Sequence, residues 1–153
     1  MSEQENKQQF LIHKIYSKDI SFESPVAPSM FKSSWKPESN VDLNISHKAL
    51  ENNNYEVELI LTLTTKNDNQ ECYICEITQT GLFEVNVPEE QLGGLLGSFC
   101  PNILFPYAKE LISNLVVKSG YPIVQINPVN FDALYAQTLE KAQNNGSTEQ
   151  PKV

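Results

Sequence analysis

Residues 100–110, Cys-Pro-Asn-Ile-Leu-Phe-Pro-Tyr-Ala-Lys-Glu, open the stretch that most constrains this fold. A proline at 101 suits the first turn of a helix. Leu104, Tyr107, Ala108, Leu111, Ile112, Leu115 and Val116 then recur at helical spacing. Ser119-Gly120 supplies a stop, with Pro122 beyond it. Pro106 either kinks this helix or marks the start of its regular part. The apolar face is wider than one small sheet needs to cover. It predicts a partner: a second copy, a client, or both.

The rest of the chain reads mostly as strand. Phe10 to Tyr16 forms a first strand, and Lys18 to Glu23 stays extended, with Asp19, Ser21 and Glu23 opposite Ile20 and Phe22. Pro25, Pro28 and Pro37 bracket an irregular crossover carrying Met30, Phe31 and Trp35. Val41, Leu43 and Ile45 alternate with polar residues. So do Tyr55, Val57, Leu59, Leu61 and Leu63. Cys72 to Val85 is the next strand, with Gly81 as a bulge or close-approach site. The turns 52–54 and 67–69 are Asn-rich, and short connections predict an antiparallel meander with one buried face. Pro88-Glu89-Glu90 opens a short helix, and Gly93, Gly94 and Gly97 should loosen the chain before the long one. Asn130 caps a last helix presenting Phe131, Leu134, Tyr135 and Leu139. The expected fold is α+β: a four-stranded antiparallel sheet with the long helix and the C-terminal helix packed on one side. Residues 10–142 form the domain. Residues 1–9 and 143–153 lack apolar residues to bury and read as disordered ends.

At 153 residues one domain with a real core is expected. The net charge of −8 disfavours a nucleic-acid partner. No apolar run is long enough to span a bilayer, and the first nine residues are too polar for a signal peptide, so a cytoplasmic protein without membrane insertion is expected. Three cysteines fit a reducing compartment. Cys72 and Cys75 make a CxxC, but residues three apart on a strand diverge, so neither a metal nor a redox role is assigned. His13 and His47 belong to no ligand-spaced pair, and Cys100 before a proline reads as packing rather than as half of a Cys–His dyad. The Asn145-Gly146-Ser147 acceptor pattern reads as chance in a cytosolic tail. No catalytic residue and no cofactor are expected. A small enzyme such as a thioester hydrolase is the alternative, with Glu110 its best carboxylate.

The block from Cys100 to Ala108, followed by residues 128–134 (Pro-Val-Asn-Phe-Asp-Ala-Leu), closely resembles the signature blocks of the SecB family of bacterial protein-export chaperones. Tyr16, Lys18 to Glu23, the Pro25/Pro28 spacing, Trp35-Lys36-Pro37 and Gly81-Leu82-Phe83 match in order. The resemblance implies a holdase without ATPase activity that keeps preproteins unfolded and passes them to the SecA motor. It implies a homotetramer, a dimer of dimers, with long helices at the interface; Leu104, Ala108, Leu111, Ile112 and Leu115 are assigned there. By position, Asp19, Glu23, Ile74 and Glu76 would dock SecA, whose basic tail carries its own zinc. Trp35, Val41, Leu43, Tyr135 and Leu139 would line the client groove. Lys109 stands where the family usually has Arg, Tyr121 and Tyr135 where it often has Phe, and the tail is short of acids. A chaperone of the same fold dedicated to one client, such as an antitoxin, is a further alternative.

Overall fold

The computed structural model describes residues 8–148. Four strands, β1 (Gln9–Glu23), β2 (Glu38–Ala49), β3 (Asn54–Asn67) and β4 (Gln70–Asn86), form one antiparallel sheet in the order β1-β4-β3-β2. Helices α1 (Glu89–Gly94), α2 (Cys100–Lys118) and α3 (Phe131–Thr148) follow. The sheet and the helices segregate in sequence, giving the α+β class. Strands β2, β3 and β4 are the expected meander. Their turns use positive φ at Asn52, Asn53, Asp68 and Asn69, which Asn and Asp tolerate best after glycine. The proline-bracketed crossover instead carries β1 past the meander to pair with β4, so β1 and β2 are the two edges.

Strict alternation makes one sheet face the core. Val57, Leu59, Leu61 and Leu63 of β3 and Cys75, Ile77 and Phe83 of β4 are buried. Leu104, Ala108, Ile112 and Val116 of α2 close over them, also fully buried. This corrects the interface assignment from sequence. Leu104, Ala108 and Ile112 are 0 % exposed within one subunit and have no area left for a partner. Only Leu111 and Leu115 of that set keep exposed surface. The sheet is long enough to absorb a stripe that seemed surplus when counted on the helix alone.

Other details differ in instructive ways. Gly81 is no bulge. It is a close approach, because a Cβ there would meet the Phe83 ring at 2.4 Å. The register shifts of β1 fall at His13 and Lys18. A further shift between Thr65 and Lys66 breaks the alternation around Cys72. Gly93, Gly94 and Gly97 do not loosen the chain. Helix α1 continues through a π turn (Leu95–Phe99) into α2, which runs on through Pro106. Asn130 caps α3 as expected, its side-chain oxygen accepting from the Ala133 N–H at 3.0 Å. Helix α3 continues to Thr148, beyond the 142/143 boundary read from sequence. The readings for residues 1–7 and 149–153 lie outside the described residues.

Candidate functional site

Edge strand β2 turns Val41, Leu43, Ile45 and His47 to the helix side of the sheet, where they pair across from Leu63, Leu61, Leu59 and Val57. The helices do not cover this margin fully. Segment 124–129 lies along one half of it, leaving a hollow of about 360 Å³ lined by Val41, Leu43, Val124 and Val129 among others. Helix α3 lies along the other half, leaving a hollow of about 350 Å³ between Leu43, Ile45, Leu134 and Tyr135. Leu43 lines both, so the two hollows make one open groove along the edge strand. Val41 is 36 % exposed.

Tyr135 is seated by two glycines. A Cβ on Gly93 would meet its hydroxyl at 2.5 Å, and one on Gly97 its ring at 2.5 Å. The glycines let the tyrosine lie flat against the π turn as one wall of the groove. Among the residues expected from sequence, Val41, Leu43 and Tyr135 line it. Leu139 continues the Tyr135 stripe one turn on and is 45 % exposed. Trp35 packs instead on Tyr121, at 5.7 Å between ring centroids. Tyr121 also packs on Phe31 and Tyr73, and its hydroxyl donates to the Cys72 carbonyl at 3.2 Å. The hydroxyl that distinguishes this tyrosine from phenylalanine thus ties the crossover cluster to β4. Ile45 and Leu134 were missed as groove residues, although each continues a stripe visible in sequence. Val124 and Val129 sit in a segment without periodicity and gave no signal.

The opposite sheet face is polar. Ser21 pairs with Glu76, Glu23 with Ile74 and Asp19 with Thr78, so all four residues expected at the motor site share this face. Thr62 Oγ1 donates to Glu76 Oε1 at 2.9 Å. Asp42, on the next strand, pairs with Thr62 and extends the same row, a contribution the sequence reading omitted. Beside the row, at the Lys18 bulge, the ammonium bonds Glu58 at 2.7 Å and Glu56 at 2.9 Å. These two carboxylates raise the lysine's pKa, Glu58 first, and Lys18 in turn holds the Glu56 carboxyl below its ordinary value, aided by the Tyr16 hydroxyl.

Glu110 is exposed, in a hollow of about 360 Å³ between β1 and α2 that it shares with Ser17, Gln79 and Asn114. Burial pushes the Cys100 thiol up to about 12, which keeps it protonated at neutral pH. Cys72 and Cys75 are free and buried. Among the described residues no group of three or more metal-capable side chains converges, and no helix is long and apolar enough to cross a membrane.

A family model described as preprotein translocase subunit SecB matches residues 3–142. This chain belongs to the SecB family. It is 47 % identical to the protein-export protein SecB of Marinobacter nauticus, over 97 % of this chain and 90 % of that one. It is 48 % identical to that of Nitrosococcus oceani, over 97 % and 92 %. Among solved structures, a SecB-like chaperone of Mycobacterium tuberculosis, in complex with a peptide from an antitoxin, superposes with a TM-score of 0.66. That match covers 78 % of this chain and 90 % of the other at 16 % identity, and it shows the shared fold. By family the chain is a protein-export chaperone.

Proposed function

We propose that this SecB-family chain holds unfolded preproteins in extended form along the β2 groove, in the cytoplasm, and delivers them to the SecA motor through the acidic outer face. The observation that carries this reading is the open groove bridged by Leu43. It combines apolar walls with the free edge of a strand, and that combination accepts extended chain of almost any sequence. Apolar burial is non-directional, at roughly 25 cal/mol per Å², so many sequences bind weakly at each point. Several grooves on one assembly then add avidity.

The assembly is a homotetramer, a dimer of dimers, formed from surface that one subunit leaves open. That surface is the free edge of β1 with Ile12 and Ile20, together with Tyr107, Leu111 and Leu115 of α2. The motor's basic element docks on Asp19, Glu23 and Glu76 around Ile74. Exposed pairs contribute only ~0–1 kcal/mol each, so this contact sets association rate and salt sensitivity more than affinity. Light scattering of a denatured preprotein diluted into buffer tests the holdase reading. Scattering falls in proportion to added protein up to a fixed stoichiometry. Unaltered aggregation refutes it.

A further inference from the structure

The outer sheet face is not uniformly acidic; it is divided in two. At the end spanned by Glu23 and Asp19, the strand pairings place four carboxylates, Asp19, Glu23, Glu76 and Asp42, and no lysine. None of the four forms an ion pair among the described residues. Past Asp19 the charges balance, with Glu56, Glu58 and Glu84 sharing the face with Lys14, Lys18 and Lys48. The border is Lys18. In regular alternation Lys18 and Asp19 would point to opposite faces. The register shift between Ser17 and Asp19 turns both outward, and the ammonium reaches across β4 to Glu58 at 2.7 Å and Glu56 at 2.9 Å. The Tyr16 hydroxyl donates to the same Glu56 at 2.8 Å. Beneath them Thr80, which pairs with Tyr16 on one side and Glu58 on the other, is 0 % exposed. The cluster is thus a packed ridge across the sheet, carrying a cation, between a bare acidic half and a neutral one.

Resting on the motor-docking reading above, we propose that Lys18 is a specificity-determining residue of that site: it confines a basic partner to the Asp19–Glu76 end of the face. The lysine acts in two ways. It neutralises Glu56 and Glu58, which otherwise continue the acidic row past Asp19 and offer the partner a second seat. Its own charge repels a cation that slides toward the ridge. The partner therefore meets Ile74 and the acids around it in one register. Exposed charges act over ~8 Å at physiological salt, so Lys18, next to Asp19 in the chain, lies within reach of the site. Lys14 lies on the same strand and face but ~15 Å from Asp19 at the rise of extended chain, beyond that reach.

Anisotropy titrations of this protein with the labelled, zinc-loaded basic tail of SecA at physiological salt test this. Lys18→Gln binds the tail about threefold tighter than the wild type. Lys18→Arg, which keeps the charge, binds as the wild type does. So does Lys14→Gln, which makes the same change of net charge beyond screening distance. Glu76→Lys weakens binding about fivefold in the wild type but only about twofold in the Lys18→Gln background, because the freed Glu56 and Glu58 supply the second seat. A Glu56→Gln, Glu58→Gln variant binds more weakly than the wild type, since a lysine without partners then faces the site; it carries the test independently of how well Lys18→Gln folds. Wild-type affinity in Lys18→Gln or in the double glutamine variant, or equal tightening by Lys14→Gln, overturns the proposal and leaves the docking face standing. Unchanged binding by Glu76→Lys in the wild-type background overturns the docking reading and this proposal with it.

Discussion

Asn67 is the residue whose loss should propagate furthest. It ends β3, is 1 % exposed, and clamps the crossover. Its side-chain oxygen accepts from the Lys36 N–H at 2.9 Å, and its amide donates to the Ser34 carbonyl at 3.0 Å and to the Met30 sulfur at 3.4 Å. Replacement by alanine removes both backbone bonds. At about 1 kcal/mol net for each, with a further penalty for groups left partly buried and unpaired, the cost is about 2–3 kcal/mol. For a domain of this size that is a fall in Tm of about 4–12 °C. Asn67→Asp does not rescue, because it would face the Ser34 carbonyl with a second oxygen. The chain has one tryptophan, Trp35, lying between the two clamped residues, so its fluorescence reports this event specifically. The variant's emission shifts to the red in the native state, as the indole leaves Tyr121 for water, and the melting temperature falls. An unchanged melting temperature with unchanged emission would refute the clamp.

Three further outcomes follow from the same structure. Gly97→Ala drives a methyl into the Tyr135 ring and destabilises by about 1–3 kcal/mol, whereas Gly94→Ala, with nothing within 4 Å, stabilises through helix propensity by up to about 1 kcal/mol; urea unfolding of the pair should move in opposite directions. Burial holds the Cys75 thiol at about 11 and Cys100 at about 12, so native protein at pH 8 reacts slowly with a thiol reagent and releases its full signal only in denaturant. Glu56 has a depressed folded pKa, so its stabilisation is present above the ordinary carboxylate value and is lost as pH falls through the folded value; the stability gap between wild type and Lys18→Gln should therefore narrow over that acidic window in denaturation curves.

Much of this molecule is local chemistry and therefore legible in its residues. Alternation along Tyr55 to Leu63 marks a half-buried strand whatever lies beside it. The Asn-rich turns and the Asn130 cap need only a few neighbouring residues to act. Asp19, Glu23, Ile74 and Glu76 share one sheet face, as alternation alone suggests, because the two register shifts of β1, between Ile12 and Lys14 and between Ser17 and Asp19, together restore its parity. What stayed hidden depends on pairing across the chain. Nothing local tells β1 to join β4 beyond the meander, or tells Leu104, Ala108 and Ile112 that their own sheet will consume them. Glycines at 93 and 97 read as breakers because the ring they accommodate, Tyr135, lies some forty residues away. Segment 124–129 forms half of the groove without any periodicity, since its shape is set by what it packs against.

The central claim is that clients lie in the groove bridged by Leu43. The most direct measurement is the affinity of the protein for a urea-unfolded preprotein, captured on dilution, for the wild type and for Leu43→Ser with Tyr135→Ser. Each truncation removes apolar area worth about 1.5–3 kcal/mol if fully buried by the client. Partial burial at two sites therefore predicts at least a tenfold loss of affinity, with the assembly state unchanged by sedimentation. Wild-type affinity in the double variant would contradict the account and place the client elsewhere on the molecule.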